Sequence, residues 1–73
     1  MAEIKVKADI TGRVWKIIAT AGTRVEEDEP IILIESMKME IPVAAPSAGV
    51  VKSLLVGEGD DVAEGQEVVI LEV

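Results

Sequence analysis

Polar and apolar residues alternate at the start of the chain, with Ile4, Val6 and Ala8 on one side and lysines between them. This period of two is typical of a half-buried strand. Further short apolar stretches follow, separated by turn residues, and none keeps the 3.6-residue period of a helix. We therefore predict no helix and eight strands: Glu3 to Ala8, Val14 to Ile18, around Val25, Ile31 to Glu35, Glu40 to Ala44, Val50 to Val56, around Val62, and Val68 to Val73.

The pattern of the first half of the chain returns in the second half. Residues 1–36 align with residues 38–73 at a constant offset of 37, without a gap and with ten identities, which indicates two copies of one unit. Neither copy can bury an apolar face alone, so we expect the copies to pack together about a pseudo-two-fold axis. The expected fold is an all-β sandwich or flattened β-barrel that forms one domain over residues 1–73.

The composition favours strands and excludes most catalytic sites. Apolar residues make up 49% of the chain, and valine and isoleucine together number 20; their branched side chains suit a pleated surface. Without cysteine or histidine, the usual metal sites and nucleophile–base pairs cannot form, so an enzyme is the least favoured class. The longest apolar run, Ile31 to Ile34, is too short for a membrane span, and residues 1–10 do not resemble a signal peptide. We expect a soluble, cytoplasmic protein.

The charge balance argues against nucleic acid as a partner. Seven basic and fourteen acidic residues give a net charge of −7, which phosphate groups would repel. One tryptophan and no tyrosine or phenylalanine leave no aromatic platform on which bases could stack. We therefore expect no nucleic acid partner.

The segment that joins the two halves, Ser36 to Met39, is predicted to form an exposed hairpin, with the chain termini together at the opposite end of the molecule. A two-residue turn of type I′ needs positive φ at both central residues and normally selects Asn-Gly or Asp-Gly. Met37 and Lys38 are poor choices by this rule. Because departures from local preference concentrate at functional sites, the hairpin is the first candidate site.

Lys38 would present a primary amine at the hairpin tip, where it could enter the active site of another protein. A lone lysine on a loop is usually only a solubilising charge. Here Met37 and Met39 flank it at a surface turn, and exposed apolar side chains in such a place indicate recognition by a partner. We therefore interpret Lys38 as a functional amine.

The segment Glu35-Ser36-Met37-Lys38-Met39-Glu40 resembles the biotin acceptor pattern, Met-Lys-Met, of the biotinyl/lipoyl carrier domains. The resemblance covers essentially the whole chain, because Pro46-x-x-Gly49 and Glu58-Gly59-Asp60-x-Val62-x-x-Gly65 lie where these domains have recurring turns. It is closest to the small free-standing biotin carboxyl carrier, or biotin/lipoyl attachment, proteins of bacteria. No extra segment interrupts residues 20–23, so the protruding thumb of some acetyl-CoA carboxylase carriers is absent.

This resemblance implies a barrel-sandwich hybrid, a flattened barrel of two four-stranded antiparallel sheets with the modified lysine on a protruding hairpin. It implies that a biotin protein ligase attaches biotin covalently to Lys38, and that a biotin carboxylase and a carboxyltransferase then load and unload the cofactor. Met37 and Met39 are assigned to partner recognition, and Glu35, Ser36 and Glu40 to the context of the hairpin. The protein would be a carrier and not an enzyme, with no membrane partner, and monomeric when free.

Two other functions stay open. A lipoyl carrier, with lipoate on the same lysine, has the same fold, although lipoyl domains usually have residues other than methionine beside the lysine. An unmodified interaction module of this fold is the alternative from a different class.

Three further features are weighed against simpler explanations. Trp15 aligns with Lys52 in the repeat, which suggests an outward orientation, either as a cover over a sheet edge or as a partner contact. The acidic run Glu26 to Glu29 is interpreted as a solvated loop, because it lacks the alternating ligands and central glycine of a calcium loop. Pro46 and Gly49 are interpreted as turn residues only.

Overall fold

Eight strands make up the regular structure of the computed structural model, which describes residues 2–73. All eight predicted strands are confirmed, with ends that differ by at most two residues. This range contains no helix, and so none that could cross a membrane. The strands are β1 (Glu3–Lys7), β2 (Gly12–Ile17), β3 (Arg24–Val25), β4 (Pro30–Ser36), β5 (Met39–Ala44), β6 (Gly49–Leu54), β7 (Asp61–Val62) and β8 (Glu67–Glu72).

The strands form two four-stranded sheets in which all neighbours are antiparallel. We call β1-β8-β6-β3 the first sheet and β5-β4-β2-β7 the second sheet. Exchanging each strand for its copy in the other half converts the first order into the second, which confirms the pseudo-two-fold repeat. Each sheet takes two strands from each half of the chain. The halves therefore interlock rather than form one layer each.

Backbone hydrogen bonds between the halves follow the same symmetry. The amide of Val14 donates to the carbonyl of Asp60 at 2.8 Å, and the corresponding amide of Val51 donates to the carbonyl of Thr23 at 2.9 Å. The first bond joins β2 to the residue before β7, and the second joins β6 to the residue before β3. In each case the two paired strands come from different halves of the chain. Neither half could therefore complete its pairing alone.

The core between the sheets is aliphatic, and among residues 2–73 no polar or charged side chain is buried in it. Strand β4 and its copy β8 lie inside their sheets and bury three residues each. Each fully buried valine, leucine or isoleucine contributes about 1.5–3 kcal/mol relative to an exposed one. The buried residues are Val6, Ala8, Val14, Ala19, Val25, Ile31, Ile32, Ile34, Val43, Ala45, Val51, Val56, Val62, Val68, Val69 and Leu71.

Gly12 and Gly49 begin equivalent strands at points where two backbones come very close. A Cβ atom on Gly12 would lie 2.5 Å from the carbonyl oxygen of Glu35, and one on Gly49 would lie 2.7 Å from that of Glu72. Side-chain carbons do not approach carbonyl oxygens this closely, so only glycine fits without a backbone shift. The interpretation of Gly49 as a turn residue only is wrong, because it is a buried strand residue with a packing role.

The two ends of the chain lie together, as predicted, at least from Ala2 onward. The amide of Ala2 donates to the carbonyl of Val73 at 3.1 Å, and the amide of Val73 donates to the carbonyl of Ala2 at 2.9 Å. Strand β1 runs from this pair toward the start of β2, and β2 begins beside the end of β4. Because β4 ends at the hairpin, these strand directions place the termini at the far end of a molecule that measures 36 × 17 × 17 Å.

Candidate functional site

Strands β4 and β5 form a hairpin whose pairing continues to its tip. The last paired residues are Ser36 and Met39, which leaves Met37 and Lys38 as a two-residue turn. The φ angles are 53° at Met37 and 63° at Lys38, the positive values that a type I′ turn requires at both central positions. Left-handed conformation costs a residue with a side chain roughly 1–2 kcal/mol. The turn is therefore held against the preference of both its residues by the strands on either side.

The side chains of the turn extend into solvent. Met37 is 90% exposed and Met39 is 62% exposed, and Lys38 is also exposed. The Lys38 ammonium group forms no hydrogen bond or ion pair with any residue in the described range, where the ion-paired cations are Arg13, Arg24 and Lys52. The amine is therefore available from outside and has no partner to leave.

Two carboxylates lie at the base of the hairpin. Glu35 and Glu40 are directly opposite each other on β4 and β5, one step below the Ser36 and Met39 pair, and both are exposed. Ser36 is half-buried at the end of β4. Arg13 lies next to Glu35 on β2, but its guanidinium Nε is 3.6 Å from Asp61 Oδ1 on the far side. The structure thus brings the six predicted hairpin residues together on one projection.

The first sheet has a glutamate pair equivalent to Glu35 and Glu40, but its side chains are arranged differently. Lys52, on β6, donates a hydrogen bond to Glu3 on β1, crossing β8 between them. This bond, the charge of Glu3 and the charge of Glu72 raise the pKa of Lys52 above its usual range. Glu3 and Glu72 are the counterparts of Glu40 and Glu35 in the repeat. In the first sheet, a lysine thus forms an ion pair with one glutamate of the carboxylate pair.

Trp15 occupies the position of Lys52 in the second sheet. It lies in a bulge of β2 between Val14, which pairs with Ile34, and Lys16, which pairs with Leu33. Val14 is 1% exposed whereas Trp15 is 48% exposed, so Trp15 points outward, as expected from the repeat. No basic residue in the described range therefore bridges Glu35 and Glu40.

Neither the acidic run nor a pocket offers a second site. Glu26 forms an ion pair with Arg24 at 3.6 Å, its amide donates to the Glu29 carboxylate at 3.0 Å, and across residues 2–73 no three candidate ligands cluster for a metal ion. An open groove of about 460 Å³ lies between β1 and β5, and no residue of the hairpin tip lines it. This groove therefore lies away from the hairpin amine.

The packing role of Gly12 and its counterpart Gly49 was missed by sequence reasoning. A Cβ atom on Gly12 would lie 2.5 Å from the Glu35 carbonyl oxygen and 2.7 Å from a side-chain carbon of Ile34, so glycine at this position lets β2 approach β4 closely at the hairpin base. The sequence did contain a signal, because glycine recurs at the same place in both halves of the repeat, 37 residues apart. Both glycines are the first residue of a strand and do not lie in a turn.

Several known proteins are similar to this chain in sequence and in fold. The biotin/lipoyl family model, described as biotin-requiring enzyme, matches residues 2–71. The chain is 42% identical to the biotin/lipoyl attachment protein of Bacillus subtilis over 60 residues, 82% of each chain. It is 37% identical to the biotinylated protein TB7.3 homolog of Mycobacterium leprae over 71 residues, 97% of this chain and 99% of that one. The Kluyveromyces lactis urea carboxylase structure superposes with a TM-score of 0.93 and 35% identity, over 99% of this chain but only 6% of that enzyme.

Proposed function

The chain belongs to the biotin/lipoyl attachment family, and we propose that it is a biotin carboxyl carrier that holds biotin as an amide on Nζ of Lys38. One observation carries this proposal. Lys38 lies at the tip of the β4–β5 turn, exposed and without a partner in the described chain, between two exposed methionines. A primary amine held in this way has the chemistry and the access that amide formation requires.

Attachment is an acyl transfer to the lysine. Nζ of Lys38, as the neutral amine, would attack the carbonyl carbon of biotinyl-adenylate in a biotin protein ligase; the new C–N bond would form, AMP would leave, and the nitrogen would lose one proton. The exposed turn lets the ligase reach Nζ without unfolding the sheets. The strands fix the turn backbone, so the amine enters the ligase in a defined direction.

When bound, biotin supplies the nitrogen that carries a carboxyl group between a biotin carboxylase and a carboxyltransferase. The contribution of this chain is mechanical. It holds the point of attachment away from the barrel, and the lysine stem adds reach while keeping the attached group at high effective concentration near a docked partner. Without a histidine or cysteine, the chain lacks the commonest catalytic base and the thiol nucleophile.

A lipoyl carrier is the second candidate, because the Bacillus subtilis relative is named for biotin and lipoyl attachment together. Met37 and Met39 on both sides of Lys38 favour biotin in our proposal. Their exposed thioethers suit contact with an apolar surface of the ligase.

Co-expression with each attaching enzyme separates the two candidates. The chain is produced with a biotin protein ligase or with a lipoate ligase, and the intact mass is measured. We expect quantitative addition of one biotinyl group and little or no lipoyl group. Addition of lipoyl alone would overturn the biotin assignment, and addition of neither would overturn the carrier proposal.

A further inference from the structure

The sulfur atoms of the described chain lie on both sides of Lys38. The sequence has three methionines and no cysteine, and Met1 lies outside the described residues. The other two are Met37, which is 90% exposed, and Met39, which is 62% exposed. Peroxides oxidise exposed thioethers to sulfoxides, and here no thiol competes for the oxidant.

The geometry of β5 leaves the thioether of Met39 open to solvent. Alternate residues of a strand share a face, so Met39 lies on the same side as Ile41 and Val43. Val43 is buried in the core, Ile41 is half-buried and Met39 is exposed. The core-facing side of the hairpin is therefore no longer covered by the first sheet when it reaches Met39.

Met37 is held outside the barrel by the turn itself. It occupies a central position of the turn at a φ of 53°, and strand pairing continues to the residues on both sides of the turn. The strands therefore fix the backbone at the tip, where the side chain has no core to pack against.

The fold does not depend on either methionine. The counterpart of Met39 in the repeat is Ala2, and Met37 lies between the two aligned halves without a counterpart. Among the described residues, the buried core contains no methionine. Both thioethers can therefore become polar without disturbing the packing of the sheets.

We propose that Met37 and Met39 form a reversible oxidation site, at which a peroxide converts the thioethers to sulfoxides and so lowers the transfer of biotin to Lys38. This inference rests on the proposed function. In each event the sulfur lone pair attacks one oxygen of hydrogen peroxide, an S–O bond forms as the O–O bond breaks, and after proton transfer one water leaves. Sulfur loses two electrons and the peroxide gains them.

The oxidation acts on recognition and not on the fold. A sulfoxide replaces a flexible apolar side chain by a polar one, which disrupts contact surfaces that contain methionine. Both sulfoxides flank the amine that the ligase must receive, while the barrel stays unchanged. The oxidised protein therefore keeps its stability and becomes a poorer substrate of the ligase.

The test treats the chain, produced without a ligase, with hydrogen peroxide, removes the peroxide, and measures steady-state transfer of biotin. Peptide mapping locates each added oxygen and separates the hairpin from Met1 and Trp15. The matched control is the double variant Met37→Leu, Met39→Leu, which keeps apolar side chains of similar volume but has no hairpin sulfur. Each protein is compared with its own untreated sample, so the two proteins need not have the same absolute rate.

We expect one added oxygen on each hairpin methionine, an unchanged urea midpoint, and a fall in kcat/KM of about tenfold, since loss of one buried methionine contact has an effect of this size. Peroxide should change the rate of the leucine variant by less than about twofold. Methionine sulfoxide reductases, one for each sulfoxide epimer, should restore the rate of the oxidised wild type.

The oxidation site would be overturned by hairpin methionines that stay reduced, by an oxidised hairpin that accepts biotin at the untreated rate, or by an equal loss in the leucine variant. A fall in rate that comes with a lower urea midpoint, or that both reductases together fail to reverse, would overturn it as well. Each of these outcomes leaves the carrier function intact. If untreated wild type accepts no biotin, both proposals fail.

Discussion

The two ends of the molecule close equivalent strand pairs in different ways, β4 with β5 at one end and β8 with β1 at the other. At one end, β4 and β5 are joined through Met37 and Lys38, both at positive φ. At the other end, the same symmetry brings Ala2 and Val73 together through two backbone hydrogen bonds, with no turn between them. The pairing of these strands is therefore satisfied without a turn at the terminal end.

This comparison separates what the fold requires from what the hairpin adds. The sheets need glycine beneath each end, and both ends have it, at Gly12 and Gly49. They do not need a turn with two residues at positive φ or exposed methionines, and among the described residues only the hairpin end has these. We attribute the shared features to stability and the features of one end to function.

The largest effect on stability is expected from alanine at the two glycines. The added Cβ would lie 2.5 Å from the Glu35 oxygen in Gly12→Ala and 2.7 Å from the Glu72 oxygen in Gly49→Ala. Forcing such contacts apart should lower the free energy of unfolding by about 1–3 kcal/mol in each variant, as overpacking does. Urea denaturation gives the two values.

These two variants also test whether the ends differ only in function. Under conditions in which both are folded, Gly12→Ala should slow biotin transfer to Lys38, because it displaces the backbone beneath the hairpin base. Gly49→Ala should leave the transfer rate unchanged. Equal rates would show that the position of the hairpin base is not important for recognition.

A change in the opposite direction is expected from relieving the turn. Replacing Met37 by asparagine and Lys38 by glycine gives the residues that a type I′ turn prefers, and should raise the free energy of unfolding by about 1–2 kcal/mol. The new glycine offsets part of this stabilisation, because it increases the conformational entropy of the unfolded chain. Thermal and urea unfolding measure the difference from wild type.

Lys38→Arg is the matched control for this prediction. Arginine, like lysine, has a long charged side chain, so the cost of positive φ at this position is retained. Its stability should equal that of wild type. If the Asn-Gly variant were no more stable than Lys38→Arg, the turn would not be strained, and the contrast between the two ends would lose its energetic basis.

The smallest effect on stability is expected from removing the charge of Lys52, which forms an ion pair with Glu3 in the first sheet. The pKa of Lys52 is raised by Glu3 from its usual 10.5, so this ion pair should favour folding from neutral pH up to the pKa of the unfolded lysine. The contribution should disappear as the pH rises through the higher pKa of the folded state. Lys52→Met should therefore lose stability relative to wild type near neutral pH, and this difference should vanish once the pH exceeds the pKa of the folded lysine.

Lys5→Met serves as the control, because Lys5 lies on the same sheet and forms no ion pair with another residue of the described range. The difference between wild type and Lys5→Met should not change with pH in this window. A Lys52→Met difference that persists at high pH would point to packing of the lysine stem and not to its charge.

Much of the fold could be predicted from local patterns. Alternation and turn residues located all eight strands, and the offset of 37 residues revealed the two-fold repeat. The interlocking order of the sheets was not predicted, because pairing such as that of Gly12 with Val62 depends on contacts between distant strands. The close approach at Gly12 was missed for the same reason, since it appears only when β2 and β4 are placed side by side.

The hairpin was predictable in position, and the poor fit of Met37 and Lys38 to a type I′ turn drew attention to it. The surroundings of Trp15 could not be obtained in this way. Its outward orientation followed from alignment with Lys52, but its place opposite β4 depends on the bulge in β2 between Val14 and Lys16. Local sequence does not specify such a bulge.

Intact mass spectrometry with peptide-level localisation, on protein produced with a biotin protein ligase, tests the central claim most directly. We expect wild type to gain one biotinyl group, located on Lys38, and the equally stable Lys38→Arg variant to gain none. A biotinyl group retained by Lys38→Arg, or located on Lys5, Lys7 or Lys16 in wild type, would contradict the assignment of the hairpin amine as the acceptor.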